Sequence, residues 1–144
     1  MDGFVERLGL SGEVEVQPVA KDVSRGEAMN HAKAEHEAYV IWLRTEVDTA
    51  DPEKASIATI NPGCVYLIYT VYAPQTAKVK AGGRTYQEGY VPQACVASAI
   101  SPAPGPSTTR RFQLPYEERL RRAGHEAANR VLRAFNLRVP TTDP

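Results

Sequence analysis

Eight consecutive residues constrain this chain more than any other part of it. Val65-Tyr66-Leu67-Ile68-Tyr69-Thr70-Val71-Tyr72 is dense in β-branched and aromatic side chains, the types that suit a pleated and partly buried surface. Ala73-Pro74-Gln75-Thr76-Ala77 interrupts the run with a proline, which removes a ladder donor and favours a turn. Lys78 to Gln87 then resumes as a more polar strand, so Cys64 to Gln87 reads as a β-hairpin. The remaining segments must supply its cover.

Ahead of the hairpin, Tyr39-Val40-Ile41-Trp42-Leu43-Arg44-Thr45-Glu46-Val47 is apolar at every position in its first half and alternating in its second. A strand covered on both faces has the first pattern, which places this one in the sheet interior with Trp42 in the core. Glu13-Val14-Glu15-Val16-Gln17-Pro18-Val19 alternates acid with valine and predicts a half-buried strand ending near Pro18. Ile57 to Ile60 suggests a further short strand before Asn61-Pro62-Gly63 turns the chain.

Two helices are predicted. Ser24-Arg25-Gly26-Glu27 has the spacing of a capping box, so a helix should run from about Ser24 to Glu35 or His36, burying Ala28, Met29 and Ala32. Pro115 opens the second, in which Tyr116, Leu120, Ala123, Ala127, Val131, Ala134 and Phe135 recur at steps of three and four. Glu117 with Arg121, Glu118 with Arg122 and Glu126 with Arg130 stand i,i+4 in the favourable order, which makes its arginines a solvated outer face. The fold class is therefore α/β (α+β): a mixed four- to five-stranded sheet around a central antiparallel hairpin, with both helices on one face. All 144 residues form one domain with a Pro-rich loop over 90–113 and a tail over 137–144. Phe4 to Leu10 reads like the last turns of a helix whose beginning lies upstream.

The formal net charge is zero, so general attraction to nucleic acid is not expected. Charge is nevertheless uneven: residues 1–56 carry twelve acids and six bases, and 107–144 carry eight arginines and four acids. No apolar run approaches the roughly 20 residues that span a bilayer. Met1 to Glu6 lacks the basic and apolar regions of a signal peptide, which leaves the periplasm or cell envelope if a leader has been removed, and the cytoplasm otherwise.

The chemical inventory is thin. His31, His36 and His125 carry no surrounding motif, and the five-residue step from His31 to His36 is not the i,i+4 pair of a helical metal site. Cys64 and Cys95 stand either as a disulfide or as two buried thiols. Neither a phosphate-loop spacing nor a nucleophile elbow is present, so no catalytic residue, cofactor or metal is assigned. Gly82 and Gly83 between Lys80 and Arg84 mark a bulge or a close backbone approach, and form the candidate ligand or interaction site.

The order of elements resembles the amino-terminal domain of the Tol-Pal translocation protein TolB and related modules of curli-secretion and penicillin-binding-protein-activator lipoproteins. Glu27-Ala28 to Ala32-Lys33 leading into Ala38-Tyr39-Val40-Ile41-Trp42 is similar to that family's helix-to-strand passage. Val65 to Tyr72, Pro74-Gln75-Thr76 and Lys78 to Tyr86 are similar to its strand, turn and return strand, and Tyr116 to Phe135 to its closing helix. Leu43 stands where a glycine is common, the Pro-rich segment is an insertion, and the family's first strand has no counterpart. That leaves an open sheet edge for a second copy of the chain to cover. The resemblance implies a non-catalytic protein-interaction module of the bacterial cell envelope, acting by self-association or partner binding. The alternatives are a small-ligand or enzymatic domain with its pocket near Lys80, Gly82, Gly83 and Arg84, and RNA binding through the arginine-rich helix.

Overall fold

A computed structural model describes residues 2–19, 22–47, 65–85 and 116–141. The elements are α1 (Asp2–Gly9), α2 (Arg25–Ala34), β1 (Val40–Val47), β2 (Val65–Tyr72), β3 (Val79–Thr85) and α3 (Tyr116–Ala134). The α/β class holds. Among the described residues the sheet has three strands in the order β1-β2-β3, fewer than expected, and both pairings are antiparallel rather than mixed.

The hairpin forms where the side-chain pattern put it. Its turn holds Gln75 and Ala77 at positive φ, and the Gln75 amide donates to the carbonyls of Ala32 and Glu35 at 2.8 and 3.0 Å. The turn therefore caps the carboxy-terminal end of α2, satisfying carbonyls the helix leaves open. At the other end of α2 the capping box is complete: the Glu27 amide donates to Ser24 Oγ at 3.2 Å and the Ser24 amide to Glu27 Oε2 at 2.8 Å. Caps of this kind contribute about 1 kcal/mol.

Alternation along the strands separates the two helices, which sequence periodicity put on one face. Leu67, Tyr69 and Val71 of β2, with Ile41 and Leu43 of β1, join the core formed with Phe4 and Leu8 of α1 and Ala123, Ala127, Ala128, Val131 and Leu132 of α3. Tyr72, Val40 and Trp42 have the other parity and pack with Ala28, Ala32 and Met29 of α2. Successive strand residues point to opposite faces, so α2 lies on the back of the sheet from α1 and α3. Trp42 Nε1 donates to the Val23 carbonyl at 2.8 Å and Arg25 Nε to Tyr72 Oη at 2.9 Å, which holds α2 there.

Helix α3 has a wider buried face than one stripe, because it packs against both the sheet and α1. Ala128 and Leu132 are buried and Ala134 is exposed, the reverse of its place in the expected stripe. Thr85 Oγ1, fully buried, donates to the Ala123 carbonyl at 2.9 Å and ties β3 to this helix. A Schellman cap ends α3: Asn136 has φ 56, its amide donates to the Arg133 carbonyl at 3.1 Å, and that of Leu137 to Leu132 at 2.9 Å. Residues 137–140 are not a free tail, since Leu137 and Val139 join the main core and the Pro140 carbonyl accepts from Arg7.

Glu13 to Val19 forms no strand. Val14 and Val16 pack on the core as the alternation predicted, but the segment has no ladder partner among the described residues. The expected strand at Ile57 to Ile60, the Pro-rich loop, Cys64 and Cys95 lie outside the described residues.

Candidate functional site

The residues singled out on β3 do not converge. Gly82 and Arg84 pair with Thr70 and Ile68 and share one face, while Gly83 pairs with Tyr69 and belongs to the other. The register shift lies at Lys80, which is inserted between the pairs Tyr72–Val79 and Val71–Ala81, two residues earlier than the glycines. A Cβ built on Gly83 would sit 3.4 Å from the Tyr69 hydroxyl oxygen, so the tyrosine ring covers this glycine across the strand pair. Burial pushes the Tyr69 phenol above its ordinary pKa, with Arg130 acting against that shift, and the hydroxyl stays protonated at neutral pH.

Arg84 is exposed, and its guanidinium carbon lies 5.1 Å from the Tyr66 ring centroid, a cation–π distance. The Tyr66 hydroxyl donates to Glu46 Oε2 at 2.9 Å, and Arg44 Nε stands 3.7 Å from Glu46 Oε1. Arg44, Glu46, Tyr66 and Arg84 thus form a charged row across all three strands on the α2 side of the sheet, beyond the end that α2 covers. Glu46 is held in place there by a neighbour's hydroxyl.

Three arginines of α3, Arg121, Arg122 and Arg130, are engaged by carboxylates. Arg121 and Arg122 both donate to Glu118, at 2.9 and 3.1 Å, and hold its pKa down to about 2. Arg130 donates to Glu126 at 2.9 Å and to the Arg84 carbonyl at 3.1 Å. Arg121 takes Glu118 at i−3 and also reaches Glu6 of α1 at 3.8 Å.

Sequence periodicity missed a polar cluster under α1. Arg7 is only 4% exposed, and its Nε donates to Asn129 Oδ1 at 3.0 Å and its Nη2 to the Pro140 carbonyl at 2.7 Å. His125 beside it is 7% exposed; its Nε2 has no hydrogen-bond partner and stands 3.7 Å from Glu6 Oε2, beyond bonding distance. Burial lowers the His125 pKa, Arg121 and Arg7 lower it further, and Glu6 opposes them. The unfolded chain therefore takes up this proton at a higher pH than the folded one. Stability should be full above the ordinary histidine pKa of about 6.5 and decline as pH falls through it. Urea midpoints measured from pH 8 to pH 5 should show this decline, and His125→Gln should flatten it; an unchanged slope would show that another group titrates.

Among the described residues no group of three or more histidine, cysteine, aspartate or glutamate side chains gathers to hold a metal ion. No helix there is long and apolar enough to cross a membrane.

The feature that stands apart is β1. It was expected inside the sheet, yet among the described strands it lies at an edge, and Val40, Ile41, Trp42 and Leu43 are all only half-buried. The opposite edge of the described sheet is guarded differently, because β3 carries the inserted Lys80, two glycines and the charged Arg84, devices that discourage strand addition. Fold and edge together define a small α/β domain whose described residues build an antiparallel three-stranded meander. Compared with family models, curated proteins and solved structures, the chain matches none.

Proposed function

We propose that this chain is a non-catalytic protein-interaction module of the bacterial cell envelope, working through β1, an edge strand among the described residues, by self-association or by pairing with a partner strand. The observation that carries the reading is the half-burial of four consecutive large apolar residues, Val40 to Leu43, on an edge strand of the described sheet. A strand of that composition gains both ladder hydrogen bonds and apolar cover when another strand is added. Similarity in the order of α2, β1, the hairpin and α3 to the TolB-like modules supports the envelope assignment.

A photoreactive residue placed at position 44 of β1, and separately at the exposed position 133 of α3, tests this in the native cells. The β1 site should give a discrete adduct in the envelope fraction, and the α3 site should not. Equal yields from the two positions would remove the case for the β1 edge, and adducts confined to the cytosol would remove the compartment.

A further inference from the structure

We propose that the partner strand is β1 of a second copy of this chain, paired antiparallel about a two-fold axis through Thr45. The proposal rests on the reading of β1 as an interaction edge and names what occupies it. In an antiparallel pair, directly opposite residues point to the same face, so a symmetric pairing sets odd positions against odd and even against even. With Thr45 on the axis, Arg44 of each copy faces Glu46 of the other. Moving the axis one residue toward Arg44 puts two arginines face to face; moving it one residue toward Glu46 puts two carboxylates face to face. Opposite charges across a strand pair are favourable and like charges unfavourable, so one register around this charged pair is selected over its two neighbours.

Three features of the fold suit that register. Glu46 is already oriented by the Tyr66 hydroxyl at 2.9 Å, and the Arg44 side chain is 64% exposed and stands 3.7 Å from its own Glu46, a loose surface ion pair that it exchanges for one with Glu46 of the other copy. Helix α2 packs at the Val40–Trp42 end of β1, away from Thr45, and the two-fold axis sends its copy to the opposite end of the seam. Helix α3 lies over β2 and β3. The product is a continuous sheet of the six described strands, seamed over residues 43–47, in which the half-buried Leu43 faces Val47 of the other copy and gains cover.

Sedimentation velocity and light scattering over a wide concentration range test it with charge exchanges. The parent chain should dimerise, and Arg44→Glu or Glu46→Arg alone should weaken the dimer by about a hundredfold, because two attractive pairs become repulsive. An equimolar mixture of the two single variants should form a heterodimer, and the double exchange R44E/E46R should dimerise again. Circular dichroism verifies folding, and if Glu46→Arg unfolds through loss of the Tyr66 contact, Arg44→Glu carries the test alone. A parent chain that stays monomeric, or a dimer indifferent to these exchanges, overturns the proposal. A monomer whose position 44 still cross-links to a different protein overturns only the self-pairing and leaves the interaction reading standing.

Discussion

Replacing Arg7 with alanine should cost about 3 kcal/mol of folding stability. Hydrogen bonds to a charged group contribute about 1.5–3 kcal/mol each, and the acceptors left behind are part-buried. The Arg7 guanidinium bridges three segments: it belongs to α1, donates to Asn129 of α3, and donates to the Pro140 carbonyl that follows α3. Without it, Asn129 Oδ1 and Pro140 O lose a donor, and the stem that fills the space between the helices is gone as well. Arg7→Met separates the two contributions, since it keeps the stem and removes the donors; it should lose about 2 kcal/mol. Urea denaturation with unchanged m-values is the measurement. If Arg7→Met proves as stable as the parent, the guanidinium is not what fastens α1. Removing Arg7 also takes away one of the cations that depress His125, so the decline in stability with falling pH should become shallower.

Gly124→Ala should destabilise the protein by about 1–2 kcal/mol, although alanine is the better helix former by about 1 kcal/mol. The reason is the crossing of α1 over α3. A Cβ at Gly124 would lie 2.9 Å from the Phe4 amide nitrogen, and one at Gly3 would lie 2.7 Å from the Arg121 carbonyl oxygen. Those obstacles are backbone atoms, so the helices must separate rather than a side chain turn aside. Phe4 and Leu8 would then lift from the core they fill. Gly124→Val should cost more than Gly124→Ala, about 3 kcal/mol. Gly26→Ala in α2 is the control, because nothing lies within 4 Å of its Cβ position, and it should be neutral or stabilising. A stabilised Gly124→Ala would mean that the helices do not cross at these two glycines.

The contrast between Gly26 and Gly124 shows how far sequence reasoning reached. Both are helical glycines, and only a neighbour distant in the chain distinguishes them. The candidate site divides in the same way. Lys80, Gly82, Gly83 and Arg84 are adjacent in sequence, and the pleat sends Gly83 to Tyr69 while Arg84 goes to Tyr66. The β1 edge was legible as a resource without being legible as an edge. Val40 to Leu43 reads as a strand needing cover on both sides, and its half-burial follows from strand order, which periodicity does not encode.

What the sequence determined by itself is local. The Val65–Tyr72 strand and its proline turn, the Ser24–Glu27 capping box, and the helix over Tyr116 to Ala134 depend on residues a few positions apart, where propensity and periodicity act directly. The tertiary structure alone decided which face α2 takes, that β1 lies outermost of the described strands, and that α1 is fastened to residues 122 and 133 positions away. These are choices among arrangements with the same local geometry. They are settled by which backbone surfaces fit closely and which buried polar atoms find partners, and both appear only when distant segments meet.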